Sequence, residues 1–137
     1  MSARRTSKTA HKPLTLKDAF ETEFARRELE RRAREDAESR QQEADLAGAE
    51  TLHAALSADP AFLESHGLTA DRRRYTVALD HERFRISAYF ESGTVNLTLS
   101  DKRAAAAGAS APRRQETVEG APEALRVIAQ FLVDEIR

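Results

Sequence analysis

The stretch Arg74–Asp101, RYTVALDHERFRISAYFESGTVNLTLSD, decides the fold. Tyr75, Val77 and Leu79 alternate with Thr76 and Ala78. Phe84, Ile86, Ala88 and Phe90 alternate with Arg85, Ser87 and Tyr89, and Val95, Leu97 and Leu99 with Asn96 and Thr98. A period of two marks a strand with one buried face, so the stretch predicts a three-stranded antiparallel meander. Ser92-Gly93 leaves two residues for the second hairpin turn, and glycine takes the positive φ that a tight turn needs. That turn sets Glu91 opposite Thr94 and aligns Phe90–Val95, Ala88–Leu97 and Ile86–Leu99 on the core face. His81-Glu82 is a poorer two-residue turn, which leaves a longer first loop open. With the short turn, the outer face carries Arg74, Tyr89 and Asn96 in one row. Thr76, Ser87 and Thr98 form the next row, Ala78, Arg85 and Ser100 the third, and Arg83 lies at the edge.

Downstream, the Gly, Ser and Pro residues after Ala104–Ala107 predict a mobile loop near residues 104–119. A last helix opens at Pro122. Glu123, Arg126, Gln130, Asp134 and Arg137 form its polar stripe, while Leu125, Val127, Ile128, Phe131, Leu132, Val133 and Ile136 cover the rest. That apolar surface is wider than one sheet face requires. Burial on two sides follows, by the sheet and either the preceding helices or a second subunit, with Val127 and Phe131 as candidate partner contacts.

Upstream, Ala44–Leu56 (ADLAGAETLHAAL) puts Leu46, Ala49, Leu52, Ala55 and Leu56 on one helical face, with Gly48 a weak point of about 1 kcal/mol. Asp59-Pro60 is a helix start, and Gly67 a stop that folds Leu68 back onto Leu63. A further helix starts at Thr15 as N-cap, with Asp18 three residues on. Its apolar stripe is Leu16, Phe20 and Phe24, continued by Leu29, Ala33 and Ala37 with one extra residue inserted between Phe24 and Leu29. Pairs such as Glu23–Arg27, Glu28–Arg32, Glu30–Arg34 and Arg31–Glu35 each add about 0.2–0.5 kcal/mol to a helix in water. The stripe thins to alanine, where a stable coiled coil needs larger residues. The helix is therefore expected to reach a partner through Phe20, Phe24 and Leu29. Residues 1–13 hold Arg4, Arg5, Lys8 and Lys12 and no acid, and predict a disordered basic tail. The chain thus reads as tail (1–13), charged extended helix (14–45) and small α+β domain (46–137), with helices on one face of the sheet.

The composition agrees with that division. The chain has 137 residues, 33% of them charged, a mean hydropathy of −0.62 and a net charge of −1. Residues 17–45 hold 17 charged side chains in 29 positions, whereas residues 46–137 hold 24 in 92, an ordinary share. No run of about 18 apolar residues exists to span a membrane. Cysteine is absent, which excludes disulfides and thiolate chemistry. The basic N-terminus lacks a following apolar segment, so a cytoplasmic protein is expected. Abundant arginine and alanine fit a GC-rich bacterial genome.

No residues in distinct catalytic roles emerge. There is no glycine-rich phosphate loop and no nucleophile elbow. His11, His53, His66 and His81 lack metal-ligand spacing, and Asp80-His81-Glu82 reads as an exposed hairpin tip. No catalytic residue, metal or cofactor is expected. The helix, three strands, helix order is similar to double-stranded-RNA-binding domains. Those carry a lysine-rich motif at the start of the last helix, where this chain has Gly120-Ala121-Pro122-Glu123-Ala124. Ala19-Phe20-Glu21 with Phe24-Ala25 resembles the opening of small inhibitors of the rotary ATP synthase, over that handful of residues and no further. The expected function is a non-enzymatic, self-associating protein-interaction or regulatory module. The alternative is a nucleic-acid-binding accessory protein using the tail and Arg74, Arg83, Arg85 and Tyr89.

Overall fold

The computed structural model describes residues 14–102 and 112–136. The expected tail (1–13) and the first part of the expected loop (104–111) lie outside these described residues. The fold is α+β. Its elements run α1 (Leu16–Leu56), α2 (Pro60–Ser65), β1 (Thr69–Arg73), β2 (Thr76–Asp80), β3 (Phe84–Glu91), β4 (Thr94–Asp101), β5 (Pro112–Val118) and α3 (Ala121–Ile136). The chain divides into two units, Met1–Glu38 and Ser39–Arg137, and α1 contributes to both.

In the first unit the helix begins as its cap predicts, with the Asp18 N–H donating to Thr15 Oγ1 at 3.1 Å. Glu23–Arg27 and Arg31–Glu35 pair at 2.7 and 2.6 Å. Arg31 also reaches back three residues to Glu28 at 2.7 Å, and Arg26 bridges Glu23 and Glu30. The Arg26 and Arg27 guanidiniums hold the Glu23 carboxyl down at about 2. The expected stripe does not hold together. Leu29 follows Phe20 by nine residues, and at about 100° per residue that is half a turn away, on the opposite side of the helix.

In the second unit five strands form one antiparallel meander in the order β1-β2-β3-β4-β5, two strands more than the alternation predicts. Two helices and five strands before α3 also depart from the double-stranded-RNA-binding order. The β3–β4 register is the one read from the sequence, from Glu91↔Thr94 to Ile86↔Leu99. Ser92 (φ 52°) and Gly93 (φ 82°) make its turn, as a type I′ geometry requires. β2 pairs β3 two residues away from the short-turn register, as Thr76↔Tyr89 and Asp80↔Arg85. The longer loop closes through the His81 N–H, which donates to Phe84 O at 2.9 Å. A shift of two keeps every side chain on its face, so the core is unchanged.

The two added strands carry too few apolar residues to alternate visibly. β1 places Ala70 and Arg72 on the core side, opposite Leu79 and Val77. β5, in the segment expected to be a loop, places Arg114, Glu116 and Val118 opposite Leu99, Leu97 and Val95. Arg114 covers Phe131 with its guanidinium 4.4 Å from the ring centre and pairs with Asp134 at 2.6 Å. A long charged side chain thus does the covering that an apolar one does in a central strand. A bulge at Leu99/Ser100 leaves Arg113 as the extra residue, and Arg113 pairs with Glu135 and Asp101.

The core lies between the sheet and the helices. Leu79, Ile86, Leu97 and Leu99 meet Leu52, Val127, Ile128 and Phe131, all buried. Two residues fix α1 on the sheet. A Cβ on Gly48 would lie 2.8 Å from Cε2 of Phe90, so glycine permits the approach. Asp45, 7% exposed, accepts the Ser92 and Gly93 N–H groups at 2.9 and 3.0 Å and the Gln41 amide at 3.1 Å. Its carboxylate holds the β3–β4 turn against the helix.

Candidate functional site

Among the described residues of the second unit, an open apolar groove lies between α2 and α3. α2 is set by its two ends. Asp59 Oδ1 accepts the Phe62 N–H at 3.1 Å, and Pro60 occupies the first turn. At the far end Gly67 adopts φ 67° and the Leu68 N–H donates to Leu63 O at 2.8 Å, which drives Leu68 into the core. With both ends fixed, Leu63 packs against the core while Phe62 stays 46% exposed.

The other wall is α3. Ala124, Val127, Ile128 and Phe131 of this helix are buried. A second apolar stripe, Leu125, Ala129, Leu132 and Ile136, lies about 120° round the helix at about 100° per residue. Leu125 is 38% exposed, Ala129 is exposed, and Leu132 and Ile136 are half-buried. Between the walls is a groove of about 180 Å³. Leu56, Leu63, Leu79 and Ile128 form its inner surface, Phe62, Leu125 and Leu132 line it too, and Asp59 is the one charged residue among those lining it. An apolar cavity of roughly 150 Å³ holds a benzene ring, so the groove suits one aromatic or branched aliphatic side chain.

This places the predicted contacts differently. Val127 and Phe131 are 7% and 1% exposed and serve the core, so they are not available to a partner. The available residues of that helix are Leu125 and Val133, the latter 55% exposed. The 4-3-4 spacing of Leu125, Ala129, Leu132 and Ile136 is the sequence signal that identifies this stripe. Phe62 carried no such signal, because its exposure follows from the two ends of a short helix.

In the first unit Phe20 and Phe24 are 63% and 59% exposed with ring centres 5.9 Å apart. The same helical face continues with Arg27, Arg31 and Arg34, alongside Glu23 and Glu28. Leu29 is 67% exposed but lies on the other side.

The outer sheet face is hydroxyl-rich, and one carboxylate, Asp80, pairs with two of its cations. The first row is Arg73, Thr76, Tyr89, Asn96 and Thr117, so Arg73 takes the place expected for Arg74. Arg74 sits in the β1–β2 turn at φ 52° with its guanidinium 5.5 Å from the Tyr75 ring. Arg85 pairs with Asp80 at 2.5 Å, and Lys102 approaches the same carboxylate at 3.0 Å. Tyr89 is 41% exposed, and Arg83 is exposed beside the β2–β3 loop.

The three described histidines have separate local partners. His53 Nε2 lies 3.5 Å from Ser57 Oγ, and His66 Nδ1 lies 3.0 Å from Phe62 O at the end of α2. His81 stacks on Phe84 at 4.5 Å and accepts the Arg83 N–H. Among the described residues no cluster of three or more metal-ligating side chains occurs, and no helix is long and apolar enough to cross a membrane. No protein family, no characterised protein and no solved structure matches the chain.

Proposed function

We propose that this chain is a non-enzymatic protein-interaction module that binds through apolar side chains held open at its surface. The observation that carries this reading is the α2–α3 groove, where Phe62 and Leu125 remain exposed beside a space sized for one side chain. Interfaces draw their energy from a few anchors seated in such pockets. The exposed Phe20–Phe24 pair is a second anchor of the same kind. The nucleic-acid reading has less support, because Arg85 and Lys102 on the outer face share the one carboxylate of Asp80, which lowers their combined charge from two to one, and phosphate binding relies on unmatched cations.

The test is affinity recovery from cells with the full chain, comparing wild type with Leu125→Glu and with Phe20→Ala/Phe24→Ala. Partners recovered with wild type are expected to be lost with one or both variants. An identical set from all three sinks the reading. Retention on single-stranded nucleic acid at low salt, lost with Arg73→Ala, favours the alternative.

A further inference from the structure

We infer that the occupant of the α2–α3 groove is the Phe20–Phe24 face of a second copy of this chain, exchanged reciprocally in a two-fold dimer. This rests on the interaction reading and names its partner. Three properties of the two surfaces agree. The first is size. The groove of about 180 Å³ takes one aromatic ring, and Phe20 and Phe24 present two adjacent benzyl side chains. The second is polarity, since the groove wall is apolar apart from one residue and the helix face opposite in the proposal leads with its two phenylalanines. The third is charge. The charged residue lining the groove is Asp59, whereas the phenylalanine face carries three arginines against two glutamates. Arg27 follows Phe24 by three residues and pairs with Glu23 at 2.7 Å, so a ring in the groove brings a guanidinium to the rim where Asp59 competes with Glu23 for it.

Each chain supplies this groove and this phenylalanine face. A two-fold exchange therefore makes the same contact twice and leaves neither surface open, the closed arrangement expected of a homodimer. Each contact alone is small. Closing the second one within an existing encounter multiplies the affinity by about 10²–10⁴.

The experiment is sedimentation of the full-length chain across a wide concentration range, with two variants. Phe20→Ala/Phe24→Ala removes the anchors, and Leu125→Glu puts a charge on the groove wall. All three positions are exposed, so folding is preserved, and circular dichroism checks that it is. Ala129→Glu, one turn along from Leu125 and also exposed, replaces Leu125→Glu if that variant melts early. Wild type is expected to dimerise, and each variant alone to be monomeric. An equimolar mixture of the two variants restores a heterodimer, because one intact anchor still meets one intact groove. With one of the two contacts left, that heterodimer is weaker than wild type by at least about 100-fold. Asp59→Asn keeps the helix cap and removes the charge. It is expected to weaken the wild-type dimer about tenfold and to flatten its salt dependence.

A wild-type chain that is monomeric throughout overturns the inference. So does a dimer that survives both variants, and so does a mixture that stays monomeric. A monomer that still loses its recovered partners on Leu125→Glu defeats the self-exchange alone and leaves the interaction reading standing. A monomer that recovers nothing defeats both.

Discussion

Replacing Gly48 by alanine sets two effects of opposite sign against each other. Alanine in a helix interior is worth about 1 kcal/mol over glycine, so propensity alone predicts a gain. The structure predicts a loss. The new methyl would lie 2.8 and 2.9 Å from Cε2 and Cδ2 of Phe90, where carbon atoms rest at about 3.5–4.0 Å. The ring must retreat by roughly 0.6–1.2 Å to restore ordinary contact. Phe90 is 5% exposed and packed into the core, so it has nowhere free to go. Overpacking of this kind costs about 1–3 kcal/mol, which leaves a net loss of about 1 kcal/mol after the helix gain. Urea denaturation followed by circular dichroism measures it. The control is the same substitution in a Phe90→Leu background, where the flat ring is gone. There Gly48→Ala is expected to stabilise by up to about 1 kcal/mol. The coupling in that double-mutant cycle should be about 1–3 kcal/mol. A gain of about 1 kcal/mol in the wild-type background refutes the close approach of α1 to β3.

Three further outcomes follow from the same structure. Asp45→Ala removes charge-assisted bonds to two backbone N–H groups of the β3–β4 turn. It should cost about 3–6 kcal/mol in denaturant titration, at about 1.5–3 kcal/mol per such bond, and a loss below about 1 kcal/mol contradicts the assignment. Phe131→Ala, at a fully buried ring, should cost about 3–5 kcal/mol, while Phe20→Ala and Phe24→Ala stay within about 0.5 kcal/mol at concentrations where the chain is monomeric. Similar melting shifts for all three would mean that the exposed pair is packed. Glu23 should titrate near 2 rather than the ordinary 4.5, because Arg26 and Arg27 donate to its carboxylate. Its folded value is depressed, so the pairing is fully present above about 4.5 and is lost as the pH falls through about 2. Carbon-detected NMR follows the carboxyl directly. Arg26→Ala/Arg27→Ala or high salt should return it toward its ordinary value, and a Glu23 that ignores both rules the pairing out.

What the sequence shows clearly is what local physics settles. The β3–β4 hairpin was legible to the residue because Ser92-Gly93 allows one turn type, and a two-residue turn allows one register. The caps at Thr15 and Asp59 and the stop at Gly67 were legible because each satisfies orphan backbone groups within a few residues. The β2–β3 loop was not legible, since no turn residue marks His81–Phe84 and either register buries the same face. Gly48 was read as a weak point because its benefit, room for Phe90, lies 42 residues away in the chain. Asp45 was counted among the charges of the helix, although its partners are at Ser92 and Gly93. The stripe from Phe20 to Leu29 failed for a different reason, since one inserted residue turns the helix by about 100° and breaks the face.

The choice of face on α3 shows how one missed element propagates to a function. The helix carries two apolar stripes, Ala124-Val127-Ile128-Phe131 and Leu125-Ala129-Leu132-Ile136, and periodicity alone gives neither priority for the sheet. β5 breaks the tie. Arg114 lies on the Phe131 ring and pairs with Asp134, and Arg113 pairs with Glu135. Glu135 continues the first stripe and Asp134 borders it, so the two pairs turn that stripe onto the sheet. With residues 112–118 read as a loop there was no such constraint, and Val127 and Phe131 stood out as the larger anchors. Once β5 is a strand, the first stripe must be core and the excess apolar width belongs to Leu125 and its neighbours. Reversing the β5 charges with Arg113→Glu/Arg114→Glu therefore strikes at the orientation of α3 as well as at three surface ion pairs. Exposed pairs are worth about 0–1 kcal/mol each. The substitution should cost more than their sum, and it should do so by loosening Phe131, which hydrogen exchange along α3 would show. A loss no larger than three such pairs, with unchanged exchange, would mean that the sheet selects this stripe by packing alone.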